Sequence, residues 1–130
     1  MVEIKPQNLF PYLQEFQANF PVTDQTIFVF KETIYANATP PPDVIIHEVA
    51  HMGQQKKVKP KKWIRRYLTE PQFRLDNELE AYKKQIKWLK VNVKDRNEIF
   101  GIRDESARHL SSALYGNLIA YNEAMEELNV

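Results

Sequence analysis

Two histidines four residues apart, with a glutamate directly after the first, constrain this chain more than any other feature: His47-Glu48-Val49-Ala50-His51. On an α-helix, residues i and i+4 are displaced by only ~40° and ~6 Å, so both imidazoles can reach one ion. Glu48 sits ~100° around from His47 and can approach a water on that ion without binding the ion itself. The local sequence predicts a helix over 44–55. Pro40-Pro41-Pro42 stops the preceding strand, Asp43 is a good N-cap, and Gly53 lies near the end. With His47 at 0°, Val44, Glu48, His51 and Gln55 fall between ~40° and ~100°, and Gln54 at about −20°. Ile45, Ile46, Val49, Ala50 and Met52 occupy the other side. One face is expected to enter the core and the other to face a cleft.

The 130 residues are expected to form one domain over 1–130, large enough to fold without covalent staples. There is no cysteine, so any metal rests on His, Asp or Glu, and the chain is compatible with the cytoplasm. The N-terminus carries neither a basic region nor an apolar run, so no signal peptide is expected, and no apolar run is long enough to span a bilayer. A helix is expected over 7–19 and a strand over 26–30. A second strand is expected over 33–38, with Lys31-Glu32 as the hairpin turn. A helical turn over 63–68 follows. Two further long helices then run over about 76–93 and about 104–128, the second capped by Asp104. The fold class is α+β, with a small antiparallel sheet and an active-site helix.

The third protein ligand must come from elsewhere. A third histidine six residues beyond His51, as metzincins carry, is excluded because Gln54 and Lys57 occupy the diagnostic positions. The next long helix offers Glu78 and Glu80. Leu75, Leu79, Tyr82, Ile86, Leu89 and Val93 define its apolar face. Glu78 lies ~50° from the centre of that face, above Tyr82 and near Ala81 and Gln85, whereas Glu80 lies ~150° away among Lys83, Lys84 and Lys87. Glu80 reads as an i,i+4 partner of Lys84, and Glu78 as the residue that faces the histidines.

With these motifs the chain resembles the gluzincins, zinc peptidases that take two histidines from H-E-x-x-H and a glutamate from a following helix. The resemblance covers about residues 26–95 and implies a minimal zincin-like fold, a Zn2+ cofactor and hydrolysis of peptide bonds. It makes His47, His51 and Glu78 the metal ligands and Glu48 the general base. The small size is similar to minigluzincins and to phage- or prophage-encoded H-E-x-x-H proteins. Relatives often read E-x-x-x-D, with the Asp supporting a histidine; here that position is Tyr82, so the support must come from another residue. The resemblance also implies a peptide substrate lying along an edge strand just before the active-site helix. That makes Ala36, Asn37 and Ala38 the expected substrate edge. In some minigluzincins a C-terminal segment covers the metal, and Glu126 to Val130 is the corresponding tail.

Peptide hydrolysis also calls for an oxyanion donor. Tyr67 and His109 are the candidates carried forward, beside Tyr115 and Arg66; for both, ordinary packing is the competing reading. His109 opens a stripe of small residues, Ala113, Gly116, Ala120 and Ala124. Net charge is +1, too balanced for a nucleic-acid protein overall, but Lys56 to Arg66 carries seven basic residues. A second function class therefore stands beside the peptidase: a catalytically silent zinc-binding regulatory or structural module that touches nucleic acid through 56–66.

Overall fold

Proline punctuates the helical part of the chain. In this computed structural model, which describes residues 2–130, three consecutive helices begin on a proline: α2 (Pro42–Val58), α3 (Pro60–Thr69) and α4 (Pro71–Asn92). At the first helical position a missing N–H loses nothing. Between α2 and α3 the chain turns at a single residue, Lys59, whose φ of 89° breaks the helix ahead of Pro60. Before them come β1 (Glu3–Lys5), a 3-10 turn (Gln7–Leu9), α1 (Leu13–Asn19), β2 (Phe28–Phe30) and β3 (Thr33–Tyr35). After them come α5 (Arg96–Leu110), a second 3-10 turn (Ala113–Tyr115) and α6 (Tyr121–Glu127). The architecture is α+β, as expected.

The sheet differs from the expected antiparallel hairpin. Its order is β1-β3-β2: β2 pairs antiparallel to β3 through the Lys31-Glu32 turn, but β1 pairs parallel on the other side, Glu3 to Thr33 and Lys5 to Tyr35. β3 is therefore the central strand. The hairpin end of β2 is closed by Gln55, which is fully buried. Its Nε2 donates to the Val29 carbonyl at 2.9 Å, and its Oε1 accepts from the Lys31 N–H at 2.8 Å. Placed by sequence on the side of the histidines, Gln55 instead anchors α2 to the sheet.

Two large apolar clusters flank the α2–α4 contact. One is aromatic, with Phe10, Phe16, Phe28, Tyr35, Trp63 and Phe73 joining α1, the sheet, α3 and the start of α4. Phe10 and Phe28 stack with centroids 4.4 Å apart. The other joins α4, α5 and α6 through Leu75, Ile86, Leu110, Tyr115 and Leu128. Burying such side chains contributes about 1.5–3 kcal/mol each, which sets the position of α4 against its neighbours.

The expected helix over 104–128 is two helices with a turn between. Asp95, not Asp104, caps α5, accepting from the N–H groups of Asn97 at 3.0 Å and Glu98 at 3.2 Å. Ser112 Oγ donates back to the His109 carbonyl at 2.6 Å, and Gly116 and Asn117 then adopt φ of 76° and 53°. The small-residue stripe after His109 is thereby split between elements. The tail packs on α4, with Glu127 2.9 Å from Lys83 and the Val130 carbonyl accepting from Lys90, and does not line the hollow beside His47 and His51. A Cβ at Gly116 would sit 3.0 Å from Pro71 Cβ. Gly116→Ala is therefore expected to lower stability by about 1–2 kcal/mol in urea unfolding. An unchanged midpoint would show that this turn does not need glycine.

Candidate metal centre

α2 and α4 pack side by side, and the contact brings together three side chains far apart in sequence. His47 Nε2 lies 2.9 Å from Glu78 Oε1, and His51 Nε2 lies 3.2 Å from Glu78 Oε2. All three residues are buried, and one ligand atom from each lies within 4.8 Å of the others. The group can hold one metal ion. Two ligands on a tetrahedral ion with bonds of about 2.1 Å stand roughly 3.4 Å apart, so opening by a few tenths of an ångström would admit it.

The outward ring nitrogens are fixed by glutamines. Gln85 Nε2 donates to Asp43 Oδ2 at 2.8 Å, so its carbonyl oxygen faces His47 Nδ1 at 3.0 Å and that nitrogen carries the hydrogen. Gln54 repeats the arrangement. Its Nε2 donates to the Asn77 carbonyl at 2.9 Å and to Glu80 Oε1 at 3.1 Å, and its Oε1 accepts from His51 Nδ1 at 2.8 Å. Nε2 is therefore the nitrogen of each ring that faces Glu78 and that a bound cation would take. Tyr82 packs edge-on against the His47 ring at 4.5 Å. The support that the resemblance assigns to position 82 comes here from Gln85, one turn further along α4.

Glu78, rather than Glu80, faces both imidazoles. Glu80 lies 3.9 Å from Lys84, as expected, but also stands behind His51 through Gln54, which the helix phase alone did not reveal. Asp43, expected as an N-cap, lies inside the first turn of α2 and makes no capping bond. The spacings that mark these supports are local: Gln54 is three residues from His51, and Gln85 is seven from Glu78 on the same face.

Burial sets the electrostatics. It pushes the Glu48 carboxyl up, and the His47 and His51 imidazoles only partly offset that. Burial also opposes charge on Glu78, but His51 and His47 hold its carboxyl well below the usual range. Burial works against charge on His51 too; Glu78 outweighs it and pushes the imidazole up to about 9. Burial, then Glu78, raises the Tyr67 hydroxyl well above its ordinary value, so it stays a neutral donor, and it bonds Glu78 Oε2 at 2.7 Å.

The group opens on a cleft of about 520 Å³ lined by Glu48, Trp63, Tyr67 and His109 among others. His109 Nε2 lies 2.9 Å from the Tyr115 hydroxyl oxygen, and burial lowers the His109 imidazole below its ordinary value. Both proposed oxyanion donors thus line the cleft, with Tyr67 the nearer to the ligands. Ala36, Asn37 and Ala38 do not line it. β3 has a neighbour on each side, the Ala36 N–H donates to the Lys5 carbonyl at 2.8 Å, and Asn37 Oδ1 accepts from the Gln7 N–H at 3.2 Å. The sheet edge beside the site is β2, whose approach over 25–29 lines the cleft. Of the seven basic residues in 56–66, two make ion pairs among the described residues: Lys56 with Glu32 at 3.2 Å and Arg66 with Glu70 at 3.1 Å. Among the described residues no helix is long and apolar enough to cross a membrane. Comparison with protein families, with curated proteins and with solved structures finds no match for this chain.

Two outcomes follow. Glu78→Ala should weaken metal binding by orders of magnitude and Gln85→Leu by about 10–100-fold, whereas Glu80→Ala should have a smaller effect. Titration against a competing chelator measures all three, and a Glu80→Ala loss exceeding that of Glu78→Ala would contradict the site. At pH 7 His51 is protonated without metal, so uptake should release about one proton per ion. Calorimetry in buffers of different ionisation enthalpy reads this directly; identical heats would contradict it.

Proposed function

We propose that the chain is a zinc-dependent peptidase of the gluzincin kind, with a minimal zincin-like fold. One observation carries the reading. A His, His, Glu group able to hold a metal shares its cleft with a further buried carboxylate, Glu48, which stands apart from the three ligands. A surface histidine pair would need neither the buried glutamate across from it nor the glutamines behind it. Two imidazoles and one carboxylate are a donor set that suits zinc with a position left open.

Bound zinc supplies an acidified water and polarises a carbonyl oxygen. The chain supplies the rest. Glu48, with its affinity for protons raised by burial, accepts a proton during attack and delivers it to the leaving amine. Tyr67 and His109 are the donors available to a developing oxyanion. An extended peptide is placed beside Ile27 and Phe28 on the approach to β2, because Gln55 already occupies the outer groups of Val29 and Lys31, and Gln7 the Thr26 carbonyl. We place the chain in the cytoplasm, with which its lack of cysteine is compatible.

Glu48→Gln keeps the shape and cannot accept the proton. It should retain about one zinc per chain while hydrolysis of casein or a peptide library falls by roughly 10²–10⁴. Metal analysis beside a cleavage assay decides it. Undiminished cleavage would remove Glu48 from the chemistry, and loss of zinc would make it a ligand.

A further inference from the structure

One cation in the cleft wall makes no ion pair among the described residues. Arg74 lies on α4 one turn before Glu78, on the same face, and is only 8% exposed. Its Nη1 donates to the Tyr67 carbonyl at 2.7 Å and its Nε to the Leu114 carbonyl at 3.0 Å. The guanidinium carbon lies 5.2 Å from the centre of the Phe20 ring. None of the ion pairs among the described residues includes it, whereas Arg66 and Arg108, both more exposed, each pair with a carboxylate.

The second terminal nitrogen, Nη2, makes no hydrogen bond to the described residues. Among the described residues no buried side-chain nitrogen or oxygen is left without a partner, so Nη2 is reached from open space. Arg74 lines the cleft together with His47, Glu48 and Glu78, and also a second hollow that His47 and Glu48 share, so the open space around it lies beside the metal group. Two main-chain carbonyls hold the fork in place and leave its charge unneutralised. A structural tie between Tyr67 and Leu114 alone would be served by a neutral donor. A buried cation fixed in orientation, with one N–H edge free beside a binding site, is suited to a carboxylate.

On the peptidase reading, which this rests on, we infer that Arg74 recognises a substrate carboxylate in the cleft. Arg74 and Glu78 start about 6 Å apart along the helix. That equals roughly two residues of extended chain. The carboxylate therefore belongs to a residue within a few positions of the bond at the metal. It is either the C-terminal carboxylate of a short product-side segment or an Asp or Glu side chain.

The test is calorimetric binding of short peptides to zinc-loaded Glu48→Gln protein. One pair differs only in a free or amidated C-terminus, and a second pair, both amidated, differs in Glu against Gln at one position. At least a tenfold preference for the charged member of one pair is expected, and that pair identifies the source of the carboxylate. Adding Arg74→Gln should abolish the preference, bringing the charged peptide's affinity to that of its neutral twin. Without substitution at 74, the Arg74 Nε–H resonance should move on adding the preferred peptide and not its neutral twin, a readout independent of how well Arg74→Gln folds. Equal binding of charged and neutral peptides overturns the assignment and leaves the peptide cleft standing. A preference that survives Arg74→Gln gives the role to another group. If zinc is held and no peptide binds, the peptidase reading falls and the assignment falls with it.

Discussion

Glu78 puts a carboxylate into the contact between α2 and α4, where water has little access. An ionised carboxylate there, left alone, would cost several kcal/mol. It is tolerated because its two oxygens face different imidazoles, at 2.9 and 3.2 Å, and one of them also accepts from Tyr67. The same constraint fixes the relation of the two helices. Shifting α4 by one residue along α2 would rotate Glu78 by ~100° and leave the carboxylate unpaired. Helix packing and site geometry are therefore one requirement, met by the same three residues.

Buried glutamines transmit that requirement to the rest of the molecule. Gln85 and Gln54 each present a carbonyl to an imidazole and pass their N–H groups on, to Asp43 in one case and to Asn77 and Glu80 in the other. Gln55 does for the sheet what these do for the rings, with both ends of its amide bonded to the backbone of the hairpin. A primary amide can both donate and accept without a charge to desolvate, so each link is satisfied at modest cost. Residues 54 and 55 are adjacent yet face the metal group and the sheet respectively, since neighbours on a helix diverge by ~100°. One turn of α2 thus ties the site to the strands.

The parts of this arrangement legible in the sequence are those governed by helix period. The spacing of His47, Glu48 and His51 and the phase of Glu78 against Glu80 follow from 3.6 residues per turn, and the structure brings His47, His51 and Glu78 together. Features that depend on distant partners were not legible. β1 is three residues long with no marked pattern, yet its parallel pairing makes β3 central and removes 36–38 from the sheet edge. The break after α5 depends on Ser112 bonding backward and on Gly116 lying against Pro71. Asp43 had a good local use as a helix cap, and the tertiary bond to Gln85 took precedence. Val49, expected in the core, is 40% exposed because β2 and β3 cover α2 only on the side of Met52 and Gln55.

The central proposal is that His47, His51 and Glu78, a group able to hold a metal ion, together take one zinc ion. X-ray absorption at the zinc edge of the loaded protein, compared with the Glu78→Ala variant, tests it most directly. The account requires two imidazole nitrogens and a carboxylate oxygen at about 2.0–2.2 Å, with a further light atom from solvent, and loss of the carboxylate signal in the variant. An ion that does not bind, or a coordination shell unchanged by removing Glu78, would contradict it.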